Sequence, residues 1–212
     1  MRQDVSQKSI GVLGASGATG RHVVARALRG GHDVVALVRR SGTFEPQPGL
    51  REVQWSGVHD AAAVSAAVAG TDVVISALGG ADRGATTVCT DAMRTLLPVM
   101  ADTGVGRLVV VSAHGVLETH DRSPYALAVW AGVGEKMKDK EAMERLVARS
   151  DVDWTIVRPP TLKDLPASGT YQTGDALPIR LWHSIGRADL ADFVVREAED
   201  AAFVRRYPRI RR

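Results

Sequence analysis

The chain has 212 residues and a formal net charge of +3, with 45% hydrophobic and 24% charged residues. This length favours one large α/β domain over two small ones. The single cysteine, Cys89, excludes an internal disulfide, and the cysteine and histidine spacing gives no indication of a metal site. No apolar run approaches the length of a membrane span, and the polar N-terminus lacks the apolar core of a signal peptide. We therefore expect a cytoplasmic protein without a membrane partner.

The positive charge is concentrated at the C-terminus. Residues 205–212 (RRYPRIRR) carry five arginines, so the residues before them sum to −2. A short basic tail is most often solvated, and contact with a neighbouring subunit or an anion is the alternative. No basic helix and no basic sheet studded with aromatic residues accompanies the tail. Nucleic-acid binding is therefore not expected.

Residues 10–40 organise the rest of the chain. An apolar run from Ile10 to Leu13 leads into the turn GASGATG at 14–20. A helical pattern follows through Leu28, and a second apolar run covers 34–38. This order predicts a strand, a phosphate loop, a helix and a strand, which is the first βαβ unit of a dinucleotide-binding fold.

Each glycine of this turn has a predicted role. Gly14 permits a tight turn, Gly17 permits close approach of the backbone to a pyrophosphate, and Gly20 permits close packing of the helix on the sheet. The helix then presents free N–H groups and its positive dipole end to the anion. The spacing is GxxGxxG instead of GxGxxG, so a glycine turn formed only for packing is the alternative.

The end of the second predicted strand indicates which nicotinamide cofactor is preferred. An acidic residue about twenty positions after the loop binds the ribose 2′-hydroxyl of NAD, whereas arginine accommodates the 2′-phosphate of NADP. Arg39 and Arg40 occupy this place, and no carboxylate follows before Glu45. A charge-assisted contact to a phosphate contributes about 1.5–3 kcal/mol. We therefore expect NADP(H) to be preferred, with NAD(H) possible and a solvated strand end as the alternative.

The remaining pattern alternates strands with helices. Further strands are predicted at 51–55, 73–77, 108–111 and 154–157, and further helices at 59–69, 87–103, 135–149 and 187–198. Short strands are predicted within 168–174 and at 177–182 and 202–207, a loop at 116–124, and a lid or helix at 125–133. Pro98 is expected to kink its helix. Right-handed crossovers then give a doubly wound parallel sheet with helices on both faces and ligands at the carboxyl ends of the strands.

The chain resembles the atypical short-chain dehydrogenase/reductase superfamily in the motifs GASGATG, VRR, ISALG, VVVSAHG, DWTIVRPPTL and IGRADLADFV. It is most similar to the compact NAD(P)H-binding proteins of the biliverdin reductase B (flavin reductase) group, with NmrA-like proteins as neighbours. The resemblance implies one Rossmann domain over 1–212, with a substrate side drawn mainly from 113–135 and 159–186. It implies NADPH-dependent hydride transfer to a flat conjugated acceptor such as a flavin, a quinone or a biliverdin-like molecule.

The NmrA-like neighbours imply an alternative of another class, which is a non-catalytic regulator that senses the NADP(H) redox ratio and binds a partner protein. A sugar-nucleotide epimerase is a third possibility, but the chain is short for the usual extra substrate domain. The small-molecule acceptor is the expected partner, and the chain is expected to be a monomer or a homodimer.

The resemblance also assigns site residues to positions of this sequence. The pyrophosphate would be held by Gly14, Ser16, Gly17, Ala18, Thr19 and Gly20, and the 2′-phosphate by Arg39 and Arg40. The rest of the cofactor would be flanked by Gly57, Val58, Ala77, Leu78, Gly79, Ser112, Ala113, Pro159, Pro160 and Thr161. The candidate catalytic residues are Ser112, His114 and Lys140, and the candidate substrate residues are Tyr171 and Trp182. A serine that only satisfies backbone groups at a strand end is the alternative for Ser112.

Two positions depart from the family's pattern. The superfamily's Tyr-x-x-x-Lys pair places a phenol of lowered pKa where a carbonyl oxygen needs a proton. Here the matching stretch runs from Lys136 to Lys140 and holds a lysine but no tyrosine. Gly57 stands where an aspartate would contact the adenine edge. Because the tyrosine is missing, we expect solvent to supply the proton, which suffices for flavin or quinone-like acceptors.

Overall fold

A six-stranded parallel sheet lies at the centre of the computed structural model, which describes residues 6–80 and 84–212. The first five residues of the polar N-terminus lie outside the described residues. The strands are β1 (Ser9–Leu13), β2 (Asp33–Val38), β3 (Leu50–Gln54), β4 (Val73–Ser76), β5 (Arg107–Val111) and β6 (Asp153–Val157), in the spatial order β3-β2-β1-β4-β5-β6. The strand order reverses between β1 and β4, and ligands of such sheets bind at this switch point.

In the part of the chain that the structure describes, five α-helices cover the two faces of the sheet and confirm the predicted doubly wound fold. They are α1 (Ala18–Arg29), α2 (Ala61–Val68), α3 (Val88–Thr103), α4 (Pro124–Ala148) and α5 (Arg187–Asp200). Buried side chains of α1 and α5 form one core on one face, and those of α2, α3 and α4 form a second core on the other. The central strands β1, β4 and β5 are almost continuously apolar because both of their faces are covered.

Two local expectations about the helices change. The backbone stays helical through Pro98 in α3, where we predicted a kink. The non-helical residue is Val133 in α4, which has φ −139° and ψ 31° and lies between two glycines. Residues 125–133 are therefore the first part of α4, and the preceding predicted loop contains a single 3₁₀ turn at Leu117–Thr119.

Two small sheets lie beyond the carboxyl end of β6. In the first, β7 (Thr161–Lys163) pairs with β9 (Ser184–Gly186), and in the second, β8 (Gln172–Gly174) pairs with β10 (Arg209–Arg211). The predicted strand at 177–182 is wrong, because pairing begins at Ser184. The segment 202–207 is mostly a turn with a single parallel bridge from Arg206 to Thr155, and the strand begins at Arg209. The expectation of a solvated tail holds for the exposed Arg205, Arg206 and Arg212 but is wrong for Ile210, which is fully buried in the core that α5 covers.

Across the parts of the chain that the structure describes, none of the helices combines the length and the apolar character needed to span a bilayer.

Candidate functional site

The glycine loop after β1 is a sterically closed turn. Gly14 has a left-handed φ of +76°, and the N–H of Gly17 donates to the Gly14 carbonyl at 3.0 Å. A Cβ at Gly20 would lie 2.0 Å from that carbonyl oxygen, whereas a Cβ at Gly17 would lie 3.2 Å from it. Gly14 and Gly20 are therefore required by the backbone itself, while Gly17 is exposed and leaves room for a ligand.

The start of α1 is free to bind an anion. Gly17 is the N-cap residue and provides no side-chain acceptor, and the first turn holds no acidic residue. The first N–H groups of the helix therefore keep their hydrogen-bonding capacity and the positive end of the helix dipole. Ala18 is exposed at this point and Thr19 is buried beneath it, while Ser16 is half-buried with its carbonyl oxygen accepting from Arg21 Nε at 3.2 Å.

Arg39 and Arg40 leave the same edge of the sheet as the glycine loop. They follow β2, which pairs in parallel with β1 from Asp33 to Ala36. Both side chains are exposed, and within 6–80 and 84–212 no carboxylate lies within 4 Å of either guanidinium. Two exposed cations without a carboxylate partner in the described residues thus follow the strand next to the one that leads into α1.

The carboxyl end of β3 offers no acidic side chain to an adenine. Gly57 and Val58 are half-buried in the turn that follows β3. The nearby Asp60 carboxylate accepts from the N–H and hydroxyl of Ser56, both at 2.9 Å, and from Ala63 N–H at 3.0 Å. These bonds cap α2 and lower the pKa of Asp60. Asp60 is therefore already engaged and does not replace the aspartate missing at position 57.

Lys140 holds the carboxyl ends of β4 and β5 together. Its ammonium donates to the backbone carbonyls of Leu78 at 2.9 Å and Val111 at 2.6 Å. The half-buried residues Ala77 and Leu78, with the exposed Gly79, form the segment predicted to flank the cofactor. Two of the three ammonium protons are thus donated to the backbone, and the geometry gives Lys140 a positioning role at this edge.

The preceding residue, Asp139, binds the start of α3. Its carboxylate accepts from the backbone N–H groups of Cys89 and Thr90, both at 2.9 Å, and from the Thr90 hydroxyl at 2.6 Å. Consecutive residues of α4 therefore place a positive charge on two strand ends and a negative charge on a helix start. Each charge has the sign that complements the backbone dipoles it meets.

Ser112 and His114 continue the pairing of β5 with β6 past the end of the strand. Their N–H groups donate to the carbonyls of Val157 and Pro159, both at 2.8 Å. Because side chains alternate along extended chain, both point to the same face, where the His114 ring lies 5.2 Å from that of Tyr125 on α4. Ala113 points to the other face and is half-buried.

These two side chains contain polar atoms that the protein leaves unpaired. Ser112 is 5% exposed and His114 is 4% exposed. In the described part of the chain, Ser112 Oγ and His114 Nδ1 are buried and have no hydrogen-bond partner. Burial lowers the pKa of His114 to about 4, and the positive charge of Arg209 acts in the same direction. The imidazole is therefore neutral at pH 7 and cannot serve there as a cationic acid.

A buried arginine network lies behind Ser112 and His114, and the sequence patterns did not indicate it. Arg158 follows β6, is fully buried, and donates to the Glu144 carboxylate with its closest contact at 2.6 Å. It also binds Glu118 and lies over the ring of Tyr207 with 4.2 Å from its guanidinium carbon to the ring centroid. Burial raises the pKa of Glu144, against the opposing effect of Arg158.

The remaining predicted residues fall into two groups. Tyr171 donates its hydroxyl to Asp192 on α5 at 2.7 Å, and Asp192 also binds Arg26 on α1, so Tyr171 ties its loop to the α1–α5 layer. Burial raises the pKa of this tyrosine. Trp182, in contrast, is 70% exposed in the loop before β9.

The segment after β6 reaches toward this exposed loop. Pro159 and Pro160 are buried, and Thr161 is exposed at the start of β7. Thr161 pairs with Ser184, two residues after Trp182. The structure thus brings Thr161 and the Trp182 loop together on the predicted substrate side.

Comparison with known proteins identifies the family of the chain. The model of the NAD(P)H-binding family matches residues 14–201. The chain belongs to the NAD(P)H-binding family.

The relatives differ greatly in how much of their length is matched. YwnB of Bacillus subtilis, which is uncharacterized, is 27% identical over 179 residues, covering 78% of each chain. The uncharacterized protein Rv2047c of Mycobacterium tuberculosis is 36% identical over 104 residues, which is 49% of this chain. That match spans only 12% of the length of the mycobacterial protein.

Solved structures share the fold over nearly the whole chain. ChuY from Escherichia coli O157:H7, an anaerobilin reductase, has a TM-score of 0.81 at 24% identity, covering 95% of this chain and 96% of its own. A short-chain dehydrogenase/reductase from Veillonella parvula in complex with NADP has a TM-score of 0.77 at 15% identity, with 96% and 94% coverage. These likenesses establish the Rossmann-like fold.

Proposed function

We propose that this protein is an NADPH-dependent reductase that transfers hydride to a flat conjugated acceptor such as a flavin, a quinone or a bilin-like molecule. The observation that carries the proposal is the pair Arg39 and Arg40, which end the strand next to β1, at the sheet edge where the uncapped α1 begins, and have no carboxylate partner in the described residues. In a family that binds NAD(P)H, cations at this place favour the 2′-phosphate of NADPH. The anaerobilin reductase activity of ChuY and the NADP bound to the Veillonella protein support the same proposal.

The residues present fit a dinucleotide at the carboxyl edge of the sheet. The N–H groups after Gly17 would bind the pyrophosphate, the two arginines would bind the 2′-phosphate, and the segment 77–79 would flank the nicotinamide half. The bound cofactor would supply the hydride. Lys140 would keep the 77–79 segment and the end of β5 at a fixed separation through its two carbonyl contacts.

The acceptor class follows from the groups available for proton transfer. Lys140 is bound to two carbonyls, and His114 is neutral because its pKa is about 4. No tyrosine stands four residues before Lys140. The proton would therefore come from solvent, and Ser112 would orient the acceptor once acceptor binding exposes its enclosed hydroxyl. Flavins and quinones tolerate this route, whereas reduction of an unactivated ketone needs a positioned acid.

A non-catalytic NADP(H)-binding regulator is the second candidate. The observation that favours it is the complete enclosure of Ser112 Oγ and His114 Nδ1, the two polar atoms that would face an acceptor. A regulator would bind the cofactor and never need these atoms to be reached.

Cofactor titration separates the two candidates. We expect wild-type protein to bind NADPH about tenfold or more tightly than NADH, since a charge-assisted phosphate contact contributes about 1.5–3 kcal/mol. Arg39→Ala should lose this preference, and Arg94→Ala, which removes an exposed arginine paired with Asp91 on α3, should keep it. FMN or a quinone is then added to the NADPH complex. Steady NADPH oxidation supports the reductase, and binding without oxidation across several acceptors supports the regulator. Equal affinity for the two cofactors contradicts the assigned role of Arg39.

A further inference from the structure

Four basic side chains gather on the substrate side of the molecule, and we call Arg180, His183, Arg209 and Arg211 the basic cluster. Arg211 Nη1 lies 2.5 Å from His183 Nε2, and His183 Nδ1 accepts from the backbone N–H of Arg180 at 2.9 Å. Arg209 Nη1 donates to the Leu177 carbonyl at 3.1 Å. The alternation of β10 places Arg209 and Arg211 on one face, opposite the buried Ile210.

This cluster lacks the ion pairs that the rest of the tail has, although the Arg209 charge helps to lower the pKa of Glu118. Arg205, Arg206 and Arg212 each have a carboxylate partner, which are Asp153, Asp175 and Asp189 respectively. Over 6–80 and 84–212, no carboxylate comes within 4 Å of Arg180, Arg209 or Arg211.

Donors of the basic cluster are also left without acceptors. Within the described residues, Nε of Arg209 and Nε of Arg211 are buried and unpaired. A buried donor of a charged group without an acceptor costs free energy, so the protein supplies these two guanidinium groups with fewer acceptors than they can use.

The contact between Arg211 and His183 itself lacks an acceptor. A neutral imidazole has one accepting nitrogen, and Nδ1 already accepts from the backbone N–H of Arg180. Nε2 then carries the proton and faces the Arg211 guanidinium, so that two donors meet. The oxygen of an anion placed beside them would accept from both groups.

The cluster lies next to the predicted acceptor site. The N–H of Arg158 donates to the Pro208 carbonyl at 2.9 Å, which sets the start of β10 beside the carboxyl end of β6. The N–H of Arg212 donates to the Ser184 carbonyl at 3.1 Å, and Ser184 pairs with Thr161. The charge of Arg209 is near enough to His114 to contribute to its lowered pKa. Thr161, His114 and the basic cluster therefore share one side of the molecule.

We propose that the basic cluster binds a phosphate or carboxylate group carried by the acceptor, so that the preferred acceptors are anionic conjugated molecules. This inference rests on the proposed reductase function and specifies its substrate class. The exposed Trp182 adjoins the cluster, with its ring centroid 5.5 Å from the Arg180 guanidinium carbon, and offers an aromatic face to the flat part of such a molecule.

FMN and riboflavin test the proposal because they differ by one phosphate group. Each flavin is titrated into the protein, and binding is followed by flavin fluorescence. The protein is first saturated with NADP⁺, so that the proposed pyrophosphate and 2′-phosphate contacts are already occupied. We expect wild type to bind FMN about tenfold more tightly than riboflavin, the size of one charge-assisted contact. The double variant Arg209→Gln/Arg211→Gln should bind the two flavins equally, with riboflavin affinity unchanged.

Matched controls separate charge from folding. Arg205→Gln removes an exposed arginine of the same tail that is paired with Asp153, and it should keep the wild-type preference. Arg211→Lys retains the charge and should keep part of the preference, and thermal unfolding should show that every variant is folded. Inorganic phosphate should compete with FMN but not with riboflavin, and competition with both to the same degree would assign the cluster to free phosphate instead.

The outcomes distinguish this inference from the proposed function. Equal binding of FMN and riboflavin by wild type, a preference that survives in the double variant, or absence of FMN binding overturns the anion subsite. Steady NADPH oxidation with equal KM for both flavins overturns the subsite while the reductase function stands. A phosphate-dependent preference in binding without NADPH oxidation by either flavin leaves the subsite in place and contradicts the reductase.

Discussion

A Cβ atom at position 20 would lie 2.0 Å from the carbonyl oxygen of Gly14, so the first turn of α1 approaches the loop more closely than any side chain allows. Gly14 in turn holds a left-handed φ of +76°, and a Cβ there would meet the Ala77 backbone at 3.0 Å. The glycine loop, α1 and the end of β4 are thereby packed backbone against backbone. This contact fixes the edge of the sheet where the cofactor is predicted to bind.

Gly20→Ala should destabilise the fold as well as weaken cofactor binding. The obstructing atoms belong to the main chain and cannot rotate away, so we expect a loss of at least about 1–3 kcal/mol in the free energy of unfolding. Gly17→Ala is the control, because its Cβ would lie 3.2 Å from the same oxygen and its φ of −72° suits alanine. It should unfold nearly as wild type does but bind NADPH more weakly. Urea unfolding and NADPH titration measure both, and wild-type stability of Gly20→Ala would contradict the loop geometry.

The sequence was sufficient to predict the central sheet because the relevant signals are local. The glycines lie in the turn that they predict, and the apolar runs lie in the strands that they predict. The arginines likewise directly follow the strand β2 whose end they mark. The edge that collects the glycine loop, Arg39, the 77–79 segment and Ser112 followed from parallel topology alone. The short strands were less predictable, because β9 and β10 have three residues each and are defined by their partners. The alternation of Arg209, Ile210 and Arg211 was the one available signal for β10.

The contacts of Lys140 and Arg158 could not be predicted from the sequence for another reason. Lys140 binds backbone carbonyls. Every residue has a backbone carbonyl, so the sequence does not indicate which ones a lysine will bind. Arg158 and Glu144 are brought together by the packing of α4 on β6. Neither residue pattern nor spacing indicates such a pair.

Lys140→Met should lower both the free energy of unfolding and the affinity for NADPH. The variant leaves the Val111 carbonyl without the Lys140 donor and the Leu78 carbonyl with the weak Cys89 thiol donor at 3.6 Å, and an unsatisfied buried group costs about 1–3 kcal/mol. Lys138→Met is the matched control, because Lys138 is exposed on the same helix and, within 6–80 and 84–212, binds Glu135 alone. Urea unfolding and NADPH titration measure the two effects. If Lys140→Met keeps wild-type stability and NADPH affinity but loses turnover, Lys140 is a proton donor and not a positioning residue.

Glu144→Gln should be strongly destabilising because it leaves the buried Arg158 with only one carboxylate. Breaking a buried ion pair by removing one partner costs about 3–5 kcal/mol. Glu118→Gln should cost less, because the Glu118 side chain is 59% exposed whereas that of Glu144 is fully buried. The double variant Glu144→Leu/Arg158→Met should recover part of the loss, since no buried charge then remains unpaired. Chemical denaturation of the four proteins tests this order, and equal effects of the two glutamine substitutions would refute it.

His114 should make the protein sensitive to mild acid. Its pKa falls from 6.5 in the unfolded state to about 4 in the folded state. Between pH 4 and pH 6.5, His114 is therefore mostly protonated in the unfolded protein and mostly neutral in the folded protein. The free energy of unfolding therefore decreases as pH falls below 6.5, and the His114 contribution amounts to about 2 kcal/mol between pH 7 and pH 5. His114→Gln should remove this part of the pH dependence, while His59→Gln, at an exposed histidine, should retain it. Urea unfolding at pH 7 and pH 5 gives the comparison, and the same loss of stability in His114→Gln as in wild type would show that the imidazole is already solvated in the folded protein.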